Sequence, residues 1–122
     1  MKLLAVEPLA IPEVKVLRYA RFCDARGAFA ESARPAQMEA HLGGGEPFVV
    51  RQINESVSRQ GVARGLHVQW QPYQGKMVRA LGGSFLDLAV DIRRGSPSFG
   101  CAVVVELTYD AMAAEAAWVW VP

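Results

Sequence analysis

The chain has 122 residues and a mass of 13.3 kDa, which is one domain with a single core. Its net charge of +1 does not favour a nucleic-acid or anionic-lipid surface, since both classes need a concentrated excess of positive charge. No stretch approaches the roughly 20 apolar residues of a membrane span. Glu7 and Pro8 interrupt the first apolar run before a signal-peptide core forms, so we expect a cytoplasmic protein.

The first predicted elements are a strand and a tight turn. Residues Val14 to Tyr19 are rich in β-branched and aromatic side chains, which favours a strand. The sequence from Asp24 to Gly27 is typical of a turn in which Gly27 adopts positive φ. A β-rich fold is therefore indicated from the start of the chain.

One minor helix is predicted near residues 33–42. Ser32 is the expected N-cap, and Pro35 fits the first turn because its missing amide proton is not needed there. The glycines Gly43 to Gly45 are expected to end the helix after Leu42.

Short strand patterns fill the rest of the chain, separated by glycine, proline and polar turns. The predicted strands are Phe48 to Asn54, Val62 to Gln69, Lys76 to Leu81, Ser84 to Asp91, Phe99 to Leu107 and Ala117 to Val121. This spacing predicts an all-β sandwich or barrel. The last strand carries Trp118 and Trp120 and should continue, pack inward or pair with another chain; we expect it to leave an exposed apolar seam in a lone monomer.

Cysteines and histidines are few. Cys23 and Cys101 lie far apart without Cys-x-x-Cys spacing, so small buried hydrophobes are favoured over a disulfide or a catalytic thiol. His41 lies near the end of the predicted helix, where a surface role is expected. Two distant histidines cannot form a cupin-type metal site, so we expect no metal and no cofactor. The glycines before Glu46 also do not form a P-loop.

His67 is the residue most suggestive of chemistry. It follows Arg64 on one predicted strand, and Lys76 begins the next. A lone histidine on a strand is more often structural, and alternation places Arg64 and His67 on opposite faces. A bulge at Gly65 would bring both side chains inward, so a joint role requires that bulge.

Further polar residues follow successive predicted strands. They are Gln52, Asn54, Asp87 and Asp91. Asp87 lies within an apolar run and is expected to be the more buried of the two carboxylates. We expect it to lie behind the catalytic residues and support them. Asp91 is followed by Arg93 and Arg94 and is expected to form a solvated ion pair.

At these residues the sequence resembles the dTDP-4-dehydrorhamnose 3,5-epimerase family, which are cupin-like jelly-roll (double-stranded β-helix) enzymes of deoxysugar and dTDP-rhamnose biosynthesis. The matching stretches follow the family order over nearly the whole chain: Asp24 to Glu31, Gln52 to Ser56, Gly61 to His67, Gln74 to Arg79 and Asp87 to Gly100. The resemblance implies a single jelly-roll domain over residues 1–122 and a homodimer in which N-terminal strands, Lys2 to Leu9 and Val14 to Tyr19, extend the partner's sheet.

The resemblance also implies roles in a sugar-nucleotide isomerase acting on a dTDP-4-keto-6-deoxyhexose at C3, C5 or both. His67 corresponds to the base that removes the proton next to the C4 ketone, and Lys76 to the cation facing the enolate oxygen. The nucleotide-sugar-binding positions are Arg26, Glu31, Gln52, Asn54 and Arg64. A base and an electrophile are both needed because a proton α to a ketone is weakly acidic.

Two departures from the family pattern bear on activity. Val68 replaces an aromatic residue often found after the histidine, and the sequence ends at Pro122, where the family segment leading to the proton-donor tyrosine would begin. We therefore expect a domain that is truncated relative to the family. The alternatives are a non-catalytic nucleotide-sugar-binding or assembly remnant, and a fragment of a longer enzyme.

Overall fold

A computed structural model describes residues 1–42 and 47–122. The elements are β1 (Leu3–Pro8), β2 (Lys15–Ala20), β3 (Phe22–Asp24), β4 (Gly27–Phe29), α1 (Pro35–Leu42), β5 (Lys76–Val78), β6 (Ser84–Val90), β7 (Ala102–Thr108) and β8 (Glu115–Val121). The prediction of a mainly β fold with one short helix is confirmed. The described residues contain no helix with the length and apolarity to cross a membrane.

The strands form one four-stranded sheet, in the order β1-β2-β8-β5, and two hairpins, β3-β4 and β6-β7. All pairs are antiparallel. The strand predicted at residues 14–19 is β2, and the predicted turn at residues 24–27 joins β3 to β4 with Gly27 at a φ of 134°. The three strands predicted after Gly83 correspond to β6, β7 and β8.

Two apolar clusters cover the two faces of the four-stranded sheet, as strand alternation requires. On the face toward the β6-β7 hairpin, which we call the inner face, Val16 and Val119 pack with Val103 and Leu107 of β7. On the opposite face, Leu17 and Tyr19 pack with other core residues, Met1 and Met38. Met38 belongs to α1, so the helix covers this outer face.

The C-terminal strand, β8, lies inside the four-stranded sheet and not at an exposed edge. β8 pairs with β2 on one side and β5 on the other, and Trp118 and Trp120 pack against the outer cluster. The Trp118 indole also donates to the carbonyl of Ser32 at 2.6 Å. The prediction that these tryptophans form an exposed seam is therefore wrong, because two neighbouring strands and the helix layer enclose them.

The helix begins later than Ser32. The carbonyl of Arg34 accepts bonds from the amides of Gln37 and Met38, which makes Arg34 the residue that precedes the helix, with Pro35 in the first turn as predicted. The predicted cap at Ser32 is wrong because the helix begins at Pro35 and Arg34 is the residue that precedes it; the Ser32 carbonyl accepts from Trp118. The predicted stop at Gly43 to Gly45 lies outside the described residues.

Two predicted strands do not form. Residues 47–75, which we call the open segment, contain neither the strand expected at 48–54 nor the one expected at 62–69. Among the described residues, it makes one hydrogen bond between backbone groups, from the amide of Val62 to the carbonyl of Arg59. Ile53 and Val57 are 87% and 81% exposed. The local β pattern is present, but no described strand lies alongside to accept its hydrogen bonds, and a strand requires such a neighbour.

Candidate functional site

Lys76 is the candidate site residue that the sheet positions most firmly. It begins β5 and pairs with Val121 of β8, so its backbone is fixed at one edge of the four-stranded sheet. Gly75 allows this path, because a Cβ there would lie 2.1 Å from a ring carbon of Trp120. The Lys76 ammonium donates to the carbonyl of Gln74 at 3.2 Å. Strand β5 forms over three residues rather than the six predicted.

Arg64 and His67 lie in the open segment and are exposed. The Arg64 guanidinium donates to Ser58 Oγ at 2.8 Å and to the Val57 carbonyl at 3.1 Å, so it binds its own segment. Gly65 has a φ of 122°, a conformation that favours glycine. The bulge that a joint role of Arg64 and His67 requires does not form, because a bulge needs a paired strand and residues 62–69 pair with none.

Arg26 and Glu31 lie on either side of the short β3-β4 hairpin's second strand. Arg26, at the hairpin turn, pairs with Asp24 at 2.6 Å with its side chain 90% exposed. Glu31 accepts two hydrogen bonds from Arg34, at 2.8 and 2.7 Å, and pairs with the α-ammonium of Met1. The Arg34 bonds, with that ammonium, lower the pKa of Glu31 to about 2, so this carboxylate is ionised at neutral pH.

The structure joins some candidate residues and leaves others apart. Gln52 Nε2 donates to Asn54 Oδ1 at 2.7 Å, so these two amides form one polar pair. Among the described residues, by contrast, Arg64, His67 and Lys76 make no hydrogen bond with one another, since Arg64 and Lys76 bind neighbours in their own chain segment. The candidate groups thus lie apart, on a sheet edge, a hairpin and the open segment.

The two aspartates have environments opposite to those expected. Asp91 is 5% exposed and accepts hydrogen bonds from Arg93, Ser96 and Ser98, so the prediction of a solvated ion pair is wrong. The pairing with Arg93 itself is confirmed at 2.7 Å. These donors, Arg93 first, hold the Asp91 pKa well below its usual range. The serines that bury it follow in the 91–101 turn, a contribution that adjacent charges alone do not reveal.

Asp87 is the half-buried carboxylate, contrary to the expected ranking of the two. Its Oδ2 atom is buried without a hydrogen-bond partner among the described residues. Burial raises its pKa, and a backbone hydrogen bond from Leu88 opposes that shift.

The cysteines and histidines complete the chemistry-bearing groups. Cys23 and Cys101 are free thiols and both are exposed, so the interpretation of these residues as buried hydrophobes is wrong. His41 lies exposed in the last turn of α1, as predicted. Within residues 1–42 and 47–122, no three histidine, cysteine, aspartate or glutamate side chains are grouped as metal ligands.

Two residues that contact or precede candidate site residues were not identified from the sequence. Arg34 holds Glu31, and its spacing of three residues from Glu31 was a usable signal just before the helix. Gly75 passes over the Trp120 ring directly before Lys76. A glycine next to a charged strand residue indicates close approach, but only the fold identifies Trp120 as the neighbour.

Comparison with known proteins is consistent across sequence and structure. The family model described as dTDP-4-dehydrorhamnose 3,5-epimerase matches residues 8–122. A protein of that name from Sinorhizobium fredii is 41% identical over 118 residues, covering 95% of this chain and 57% of the relative. The dTDP-4-dehydrorhamnose 3,5-epimerase from Pseudomonas aeruginosa is 49% identical over 92 residues, covering 75% of this chain and 50% of the relative. The chain therefore spans about half the length of the curated relatives it matches.

Solved structures give the same fold. The dTDP-4-dehydrorhamnose 3,5-epimerase of Sulfolobus tokodaii superposes with a TM-score of 0.84 at 35% identity, covering 100% of this chain and 64% of that one. A Legionella pneumophila dTDP-6-deoxy-D-glucose-3,5-epimerase, solved in complex with dTDP-4-keto-L-rhamnose, gives 0.78 at 36% identity, covering 95% and 69%. The predicted cupin-like jelly roll is confirmed. The chain belongs to the dTDP-4-dehydrorhamnose 3,5-epimerase family.

Proposed function

We propose that the chain acts on a dTDP-4-keto-6-deoxyhexose and removes a proton at C3 or C5, next to the C4 ketone. The single observation that carries the proposal is the family match over residues 8–122, which includes every residue proposed for the chemistry. His67 is the proposed base, since an imidazole nitrogen is a common general base in enzymes. The Lys76 ammonium is the proposed partner of the oxygen that becomes an enolate.

Substrate binding is assigned to Arg26, Glu31, Gln52, Asn54 and Arg64. Arg64 is the best candidate for the diphosphate, because a guanidinium donates two parallel hydrogen bonds to phosphate oxygens. Its bonds to Ser58 and Val57 are to neutral acceptors, which a phosphate would replace with stronger charged ones. Arg26 and Glu31 already have ionic partners in Asp24 and Arg34, so ligand binding there must compete with existing pairs.

A second function is favoured by one observation. Arg64 and Lys76 bind their own segments, and no described contact joins either residue to His67. A nucleotide-sugar-binding module without turnover needs only the binding groups and not this alignment. The two functions separate in one assay, since both predict dTDP binding but only the enzyme exchanges substrate hydrogen with solvent.

The test is exchange of deuterium from D₂O into C3 and C5 of the 4-keto sugar, followed by mass spectrometry. We expect the wild-type chain to incorporate deuterium and His67→Asn to abolish incorporation, while His41→Asn, on the helix surface, leaves it unchanged. Wild-type rates in His67→Asn would contradict the base assignment. Binding of dTDP without any exchange in the wild-type chain would instead support the binding module.

Arg64 is tested separately by calorimetry with dTDP in the absence of added metal. Losing charge-assisted bonds of about 1.5–3 kcal/mol weakens binding roughly 10- to 100-fold in Arg64→Ala. Arg59→Ala is the matched control, as an exposed arginine of the same segment. Equal losses in the two variants would mean that general positive charge, rather than Arg64, binds the diphosphate. A requirement for Zn²⁺ or Fe²⁺ would contradict a metal-free site.

Homodimer formation through the N-terminal edge is part of the same proposal. β1 is the outermost strand of the four-stranded sheet, so its outer edge is available for pairing. β2 is paired on both sides within the chain, and of the two N-terminal strands only β1 therefore offers an edge. Sedimentation of the wild-type chain and of Val6→Pro, which removes an amide that points away from β2, tests this. A stable wild-type monomer would contradict it.

The proposed compartment is the cytoplasm. Its thiol-reducing conditions suit two exposed free cysteines, Cys23 and Cys101, which oxidising compartments tend to convert to disulfides.

A further inference from the structure

Lys76 begins on the inner face of the four-stranded sheet. Its neighbour two residues along, Val78, pairs with Val119, and both pack in the inner cluster. Because side chains alternate along a strand, Lys76 shares this face with Val78. The Lys76 partner across the strands, Val121, also packs against the inner cluster.

Asp87 faces the same space from the opposite sheet. It pairs with Val105 on β7, and its neighbour on the same face, Ala89, pairs with Val103. Val103, Val105 and Ala89 all pack in the inner cluster, whereas Leu86 and Leu88, of opposite parity, are 69% and 44% exposed. Lys76 and Asp87 therefore project into one layer from two facing sheets, which typically lie about 10 Å apart.

The charge balance of this layer leaves the two groups unpaired among the described residues. The charged residues on the inner faces are Glu7, Arg18, Glu115, Lys76 and Asp87. Glu115 pairs with Ala20 at the opposite end of β8 from Val121, the partner of Lys76, so it lies away from Lys76. Glu7 and Arg18 pair with each other at 3.1 Å. Lys76 donates only to the carbonyl of Gln74, and Asp87 Oδ2 is buried without a donor. A buried carboxylate oxygen without a donor is costly, and a facing ammonium is the natural group to satisfy it.

We propose that Asp87 is a positioning residue for Lys76: the Lys76 ammonium alternates between the Gln74 carbonyl and the Asp87 carboxylate, and the second arrangement directs it into the layer between the sheets. This inference rests on the proposed function for its catalytic meaning. A carboxylate neighbour keeps the ammonium charged, and a charged, aimed ammonium is what a developing enolate oxygen requires.

The first test needs no turnover. The chain has three lysines, Lys2, Lys15 and Lys76, so the side-chain NMR signal of Lys76 is readily assigned with a Lys76→Met variant. In Asp87→Asn, loss of the facing carboxylate is expected to change the chemical shifts of the Lys76 ammonium group. Glu106→Gln is the matched control. Glu106 is an exposed carboxylate of β7, opposite Leu86 on the side of the hairpin that points away from the four-stranded sheet. Unchanged Lys76 chemical shifts in Asp87→Asn would overturn the proposal.

The second test separates positioning from substrate binding. In the deuterium-exchange assay, Asp87→Asn is expected to lower kcat about 10-fold, with KM within twofold of wild type, and to shift the alkaline limb of the pH profile downward. Asp87→Glu is expected to restore part of kcat because it restores the charge. A fall in activity carried by KM alone would contradict positioning. Absence of exchange in the wild-type chain would defeat the proposed function, while the NMR comparison of wild type with Asp87→Asn would still decide whether Asp87 engages Lys76.

Discussion

The four-stranded sheet and the open segment both carry sequences with a strand pattern, yet only the sheet is paired. In the sheet, β2 and β8 have neighbours on both sides, and Leu17 and Val119 are 0% and 1% exposed. In the open segment, Leu66 and Val68 are 71% and 66% exposed. The difference shows that a strand signal is realised only where a neighbour accepts its hydrogen bonds and covers its apolar face. It also divides the candidate site, since Lys76 lies on the paired sheet while Arg64 and His67 lie on the open segment.

The largest expected effect contrasts the same substitution in the two regions. Leu17→Ala removes a fully buried side chain from the outer cluster and is expected to cost about 2–5 kcal/mol of unfolding free energy. Leu66→Ala, in the open segment, is expected to change it by less than about 0.5 kcal/mol. Urea denaturation followed by tryptophan fluorescence measures both. A comparable loss from Leu66→Ala would mean that the open segment packs in solution.

A smaller effect is expected where the two regions join. Gly75→Ala places a Cβ against the Trp120 ring, so the indole has to move. On its other contacts the indole packs with Phe48, with the two ring centroids 5.9 Å apart. We expect a loss of about 1–3 kcal/mol from overpacking. The control is Gly82→Ala, since nothing lies within 4 Å of a Cβ at Gly82. If both variants unfold at the same urea concentration as wild type, Gly75 does not position the start of β5.

The Asp91 network provides a pH-dependent contribution to the paired region. Its depressed pKa means that the contribution is fully present above the unfolded-state pKa of about 4 and falls as the pH drops toward the native value. Asp91→Asn keeps one oxygen for the serine hydroxyls, so we expect a smaller loss at pH 7 than for Gly75→Ala. The difference in unfolding free energy between Asp91→Asn and wild type should become smaller below pH 4.

Thermal unfolding between pH 2 and pH 7 checks the Asp91 prediction, with Asp24→Asn as the control for an exposed pair. Surface pairs contribute little, so Asp24→Asn should shift the midpoint less. If the unfolding midpoints of Asp91→Asn and wild type differ by the same amount at every pH, the carboxylate charge is not the stabilising feature.

The sequence predicted the elements that depend on local residue pattern and turn chemistry. These elements are β2, the turn before Gly27, the helix from Pro35 and strands β6 to β8. Local pattern misplaced the strands around Ile53 and Leu66 because pairing is a property of the whole fold. It also ranked Asp87 and Asp91 wrongly, since burial of Asp91 depends on Ser96 and Ser98 folding back on it. Candidate roles for His67 and Lys76 came from motif order, which does not report which groups touch.

Hydrogen exchange of backbone amides tests the central comparison most directly. We predict that amides of β2 and β8 exchange about 100-fold or more slowly than those of residues 48–69 in the 122-residue chain, because only the former are donors in a sheet. Addition of dTDP should slow exchange around Arg64 and leave β2 unchanged. Equal protection of residues 48–69 and β8 in the free chain would contradict the account.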